Sequence, residues 1–130
     1  MAKVEMKAKL RYLRMAPRKV RILADLLIGK SVAEAIVQLE QSRRTAARPL
    51  LKLLQSAIAN AKHNHESDES SLMVKHITVD GGPILYRWMP RAMGRATPIR
   101  KRTAHIVLTL IGEVKEKKAE KKAVKKEDKK

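Results

Sequence analysis

Residues 80–113 read DGGPILYRWMPRAMGRATPIRKRTAHIVLTLIGE, and this stretch decides how the rest of the chain is arranged. Between Asp80 and Glu113 no acidic residue interrupts it, while Arg87, Arg91, Arg95, Arg100, Lys101 and Arg102 all fall inside. Gly81, Gly82, Pro83, Pro90, Gly94 and Pro98 punctuate it, and Trp88 stands beside Met89 with Met93 close by. So many unpaired cations cannot be buried in a core. A structureless loop of this length is uncommon in a compact domain unless it has a function. The flanks favour a long antiparallel hairpin over residues 83–105. In this reading 83–86 pairs with 103–111 at the base, and 90–94 lies near the tip. Arms of roughly ten residues at about 3.3 Å each would carry the tip on the order of 30 Å from the body. A projection of that charge calls for a polyanionic partner.

The composition points the same way. In 130 residues, 30 Lys and Arg oppose 13 Asp and Glu, for a formal net charge of +17. Self-repulsion of that size opposes compaction unless a polyanion neutralises it, and a small neutral substrate would give no use for it. Nucleic acid is the first candidate and an anionic membrane surface the second. There is no cysteine, hence no disulfide frame and no thiolate metal site. With no Phe, one Trp and two Tyr, a broad stacking platform for single strands is not expected. Apolar runs fall short of the ~20 residues of a membrane span, and the N-terminus has no apolar signal core, so the chain is expected to remain in the cytoplasm.

Outward from the hairpin, residues 4–12 alternate: Val4, Met6, Ala8, Leu10 and Tyr12 on one face, Glu5, Lys7, Lys9 and Arg11 on the other. That is a half-buried strand with a basic outer face. Pro17 suits the first position of a helix running to about residue 28, with Val20, Leu23, Ala24 and Leu27 as its buried stripe. Arg18, Lys19 and Arg21 crowd its first turns, where the backbone is already positive; opposite a phosphate the arrangement becomes favourable. Gly29 ends this helix, and Ser31 with Glu34 forms a capping box for a second. Val32, Ala35, Ile36 and Leu39 make the apolar face of that second helix. A third helix is expected over about 43–63, cored by Leu50, Leu54, Ala57, Ile58 and Ala61, with Pro49 either in a delayed first turn or at a kink. Residues 63–71 read as a polar loop and 72–79 as a strand, and Val107, Leu108, Leu110 and Ile111 close the sheet. From Glu113 onward, nine lysines and five acids read as a disordered Lys-rich tail of charge +4. The remaining body keeps +13, so the basic character is not a property of the tail.

No P-loop, dinucleotide turn, Ser-His-Asp order or HExxH motif is present, and the reading is that of a non-enzyme. His63 and His65 with Glu66 lack the further ligands of a metal site, so neither metal nor cofactor is expected. His76 and His105 fall in strands, where packing or hydrogen bonding explains them.

Three blocks then stand in order: APRKVRILADLLIGKSVAEAI, SAIANAKHN and VDGGPILYRWMPRAMGRATPIRKRTAHIVLTL. Together they resemble the large-subunit ribosomal protein twenty-two family in its bacterial form, over about residues 5–112. The resemblance implies an α+β fold, a small antiparallel three-stranded sheet packed on three helices, from which a long basic hairpin protrudes. It implies a place in the large ribosomal subunit near the mouth of the nascent-chain tunnel. The hairpin would thread ribosomal RNA, and Trp88, Met89, Pro90, Arg91, Ala92, Met93, Gly94 and Arg95 would form the tip that lines the tunnel, near where macrolides bind in the family. Ala16 stands where the family usually has Ser, and Met93 where it commonly has a base.

The resulting expectation is one ribosomal-protein domain over 1–112. Lys9, Arg11, Arg14, Arg18, Lys19 and Arg21 would dock the body on RNA. Arg87, Arg91, Arg95, Arg100, Lys101 and Arg102 would hold the hairpin, by backbone and shape more than by base edges. The partners are large-subunit RNA, neighbouring ribosomal proteins and, at the tip, the nascent polypeptide, with no membrane and no homo-oligomer. The alternative is a DNA-compacting architectural protein with Met89-Pro90 as an apolar wedge.

Overall fold

The computed structural model describes residues 3–114; the tail expected from residue 113 onward lies almost entirely outside the described residues. The order of elements is β1 (Lys3–Leu13), α1 (Pro17–Leu27), α2 (Val32–Gln41), α3 (Ala47–His65), β2 (Met73–Gly81), β3 (Leu85–Pro90), β4 (Ala96–Lys101) and β5 (Ala104–Glu113). Strands β1, β5 and β2 form one antiparallel sheet in that spatial order, and β3 and β4 form a separate two-stranded sheet. The fold is α+β: three helices on one face of a small antiparallel sheet, with a long hairpin extending from it.

The core lies between sheet and helices. Met6, Ala8, Val74, Ile77, Val79, Ile106, Leu108 and Leu110 come from the strands, and Val20, Leu27, Val32, Leu50, Leu54 and Ala57 from the helices. Two bulges adjust the strand parity. Between Val74 and His76 the register against β5 slips, so Val74 and Ile77, three residues apart, both face the helices. His76 is left exposed on the outer face. In β1 the slip lies between Leu10 and Leu13. There Tyr12 adopts φ 57° and is 63% exposed, so it leaves the buried row to which simple alternation assigns it. Its ring meets the edge of His105, with centroids 4.9 Å apart, and its N–H donates to His105 Nδ1 at 3.1 Å.

The helices start and stop for local reasons. Gly29, at φ +82°, ends α1, and its N–H donates to Val74 O at 2.9 Å, tying the helix end to β2. Ser31 Oγ accepts from the Glu34 N–H, the forward half of the capping box. The third helix begins at Ala47, four residues later than its sequence suggests, so Pro49 sits in the first turn. No helical hydrogen bond is lost there, because the first N–H groups of a helix have no partner within it.

The hairpin differs from its expected pairing. Residues 104–111 of β5 are committed to β2 and β1, and Tyr86 pairs with Arg100, Leu85 with Lys101. The base is therefore the β2–β5 pair itself, and β3–β4 continues it past an irregular junction at 82–84 and 102–103. The reason lies in side-chain type. From Ala104 onward the strand is apolar enough for the centre of a sheet, whereas Arg100, Lys101 and Arg102 have to stay in water. Two bonds hold the junction: Gly82 N–H to Thr103 O at 2.9 Å, and Thr103 Oγ1 to Pro83 O at 2.6 Å.

Candidate nucleic-acid interface

A cleft of about 650 Å³ opens where the body meets the base of the arm, and its lining is basic. Arg14 and Lys19 enter from the segment before α1 and from its first turn. Arg43 and Arg44 enter from the connection before α3, and Arg100, Lys101 and Arg102 from the end of β4. The ion pairs Lys62–Glu69 and Lys75–Glu5 involve none of these seven cations.

Two helix N-termini face the same cleft. The N-cap of α1 is Ala16 and that of α3 is Ala46; both line it, neither offers a capping side chain, and neither helix has an acid in its first turn. Each end carries the positive end of the helix dipole, although Pro17 and Pro49 supply no N–H and the Lys19 and Ala47 N–H groups donate to Ala16 O and Arg44 O. Caps and acids would relieve these ends at a cost to anion binding; here cations are added instead. The arrangement suits phosphate, which the two helix dipoles attract and which accepts from the guanidinium forks and ammonium groups of the lining.

The structure thus brings together five residues singled out from the sequence: Arg14, Lys19, Arg100, Lys101 and Arg102. Arg43 and Arg44 join them without having been singled out. Their signal was present as a basic pair directly before a helix that lacks an acidic first turn, but nothing local linked them to the hairpin. Lys9 and Arg11 lie apart, beside Tyr12 and His105 in a smaller depression. Arg18 is exposed on α1. Arg21 has a structural contact as well: its Nε and Nη2 donate to Val79 O at 3.2 and 3.0 Å, fastening α1 to β2.

Along the arm every residue of β3 is exposed. Arg87 donates to its neighbour's carbonyl, Tyr86 O, and Arg91 Nε to Thr97 Oγ1 at 3.2 Å. The turn is closed by Arg91 N–H to Arg95 O at 2.7 Å, and one 3₁₀ turn, Ala92–Gly94, fills it. Met93 and Gly94 both have positive φ, 59° and 67°. Met93 is 94% exposed at the extreme end. Among the described residues no group of three or more His, Asp or Glu converges as a metal site, and no helix is long and apolar enough to cross a membrane.

A basic cleft in the body and a basic projecting arm are features of the polyanion-binding class of proteins. The chain belongs to the family described as ribosomal protein L22p/L17e, whose model matches residues 8–111. It is 52% identical over 105 residues to the large ribosomal subunit protein uL22 of Desulfitobacterium hafniense strain Y51, covering 81% of this chain and 92% of that protein. Against the protein of the same name from strain DSM 10664 / DCB-2 the identity is 50% over the same shares. The family is a structural, non-enzymatic one.

Proposed function

We propose that this chain is a structural constituent of the large ribosomal subunit in the cytoplasm, organising large-subunit RNA and touching neighbouring ribosomal proteins. The observation that supports it most directly is the cleft in which seven cations and two uncapped helix ends converge, in a chain of the L22p/L17e family. Arginine and lysine there neutralise phosphates where RNA segments crowd together, which lowers the electrostatic cost of compact RNA. Arg14, Lys19, Arg43, Arg44, Arg100, Lys101 and Arg102 form the main contact, with Lys9, Arg11, Arg18 and Arg21 on the flanking body. Arg87, Arg91 and Arg95 hold the arm within the RNA. The turn around Met93 faces the nascent-peptide path as part of the tunnel wall. The chain forms no homo-oligomer and carries no cofactor.

The test is incorporation. Arg100→Glu combined with Arg102→Glu places two acids in the cleft and should lower occupancy of the large subunit after sedimentation through a high-salt gradient, as read by quantitative mass spectrometry. The wild-type chain should remain with the subunit through the wash, because loosely held surface charges are screened at high salt. Full occupancy of the double variant would sink the assignment of the cleft. Release of the wild-type chain would sink its role as an integral component and favour the DNA-compacting reading.

A further inference from the structure

The two faces of the β3–β4 arm are chemically unlike: one carries Arg87 and Lys101 among aliphatic side chains, while the other gathers two aromatic rings and two prolines beside a single cation, Arg100. Cross-strand partners share a face. The pairs Leu85–Lys101, Arg87–Ile99 and Met89–Thr97 therefore make one face, and Tyr86–Arg100, Trp88–Pro98 and Pro90–Ala96 the other. The second face holds two of the chain's three aromatics, two residues apart on one strand. Tyr86 is 52% exposed and Trp88 69% exposed, and neither ring packs on another ring.

Side chains at i and i+2 of a strand stand roughly perpendicular to the sheet, about 6.6 Å apart. That is close to twice the ~3.4 Å spacing of stacked bases. A gap of this width between two aromatic rings admits one flat ring between them. Arg100, directly across from Tyr86 on the same face, supplies a cation for the phosphate that comes with such a ring. Pro98, across from Trp88, carries no side-chain donor or acceptor and keeps the floor apolar. From Asp80 to Glu113 no carboxylate interrupts the segment, so the surroundings select a polyanion over an acidic or neutral peptide.

From this we infer that Tyr86 and Trp88 form a stacking slot for one unpaired nucleobase of the bound RNA, with Arg100 on its phosphate. The inference rests on the RNA-binding reading above and adds a base contact to a protein otherwise suited to backbone and shape. It assigns Trp88 to RNA instead of to the peptide path, leaving the turn at Met93 for the latter. Recognition by the slot is indifferent to base identity, since every base has a face to stack.

Trp88 is the chain's only tryptophan, so its emission reports on the slot directly. The full chain is titrated at low salt with a short single-stranded oligoadenylate and with an abasic oligomer of equal length and phosphate count. Fluorescence anisotropy of the labelled oligomers reads total binding, and indole emission reads stacking. The expected result is that both oligomers bind but only the adenylate quenches Trp88. Tyr86→Leu should weaken adenylate binding about 5- to 150-fold, the span of one lost base–aromatic stack. It should leave abasic binding unchanged, and Tyr86→Phe should restore the wild-type affinity. Both positions are exposed on the arm, so these changes leave the core intact. Equal emission with both oligomers while both bind would overturn the slot and leave the RNA-binding reading standing. Failure of both oligomers to bind would overturn both. Quenching by an uncharged tryptophan-free peptide, and not by the adenylate, would overturn the slot in favour of a polypeptide contact.

Discussion

The body and the arm are made from the same chain and the same kind of strand, yet they are held together differently. In the body, β1, β5 and β2 bury one face against three helices, and Leu54, Leu108 and Leu110 are fully enclosed. In the arm, β3 and β4 pair over six positions and bury almost nothing: all of β3 is exposed, and only Thr97 and Ile99 of β4 are half-buried. A lone two-stranded hairpin is marginal in water. The body therefore carries its stability in apolar burial, while the arm has a backbone ladder and a charge that a polyanion has to neutralise. Folding ends and assembly begins between the two. The boundary is the junction at 82–84 and 102–103, where the apolar run of β5 gives way to Arg100, Lys101 and Arg102.

The largest effect is expected from truncating a body side chain. Leu108→Ala, in the central strand, should cost about 2–5 kcal/mol in urea unfolding, from lost burial plus the cavity left behind. A cost below 1 kcal/mol would mean that the sheet–helix core is not what holds the body.

Next in size is the junction. A Cβ at Gly82 would stand 2.4 Å from Thr103 Oγ1 and 3.2 Å from His105 Nε2. Gly82→Ala should displace the Thr103 hydroxyl from Pro83 O and cost about 1–3 kcal/mol. Hydrogen exchange should then quicken in β3–β4 before it changes in β1. Uniform loss of protection would show that arm and body unfold as one unit.

The arm gives the small term. Leu85→Ala, on an exposed strand, should alter unfolding by less than about 0.5 kcal/mol, against the severalfold larger effect at Leu108. An equal cost at both positions would erase the distinction between the two regions.

Smallest is the pair across the outer face of the sheet, Lys75 Nζ donating to a Glu5 carboxylate oxygen. That hydrogen bond, with the lysine's charge, holds the Glu5 carboxyl below its ordinary pKa. A depressed folded-state pKa means the contribution is present above the unfolded value of about 4.3 and is lost as pH falls through the folded one. The group is exposed, so the effect is screened. Glu5→Gln should flatten the acid limb of the stability curve only at low salt, and a difference that survives high salt would contradict a surface pair.

Much of this was legible because it is local. Alternation in residues 4–12 gives β1, Pro17 and Gly29 bound α1, and Ser31 with Glu34 opens α2. The basic, acid-free stretch after Asp80 gives the arm and the charge of its partner. Local pattern failed at Tyr12, because a bulge is settled by the strand alongside and not by the strand's own period. It failed also at the foot of the hairpin, where two partners competed for residues 104–111 and the apolar one prevailed.

Element types, buried stripes, the projecting hairpin and the kind of partner all follow from side chains close together in the chain. Packing of the whole chain is what brings Arg43 and Arg44 to Arg100, Lys101 and Arg102 in one cleft, and Arg21 to the Val79 carbonyl, where it fastens α1. These residues are separated by more than fifty positions, and no local periodicity encodes such a meeting. It arises when the apolar faces of sheet and helices close on each other and carry their charged ends to the same side.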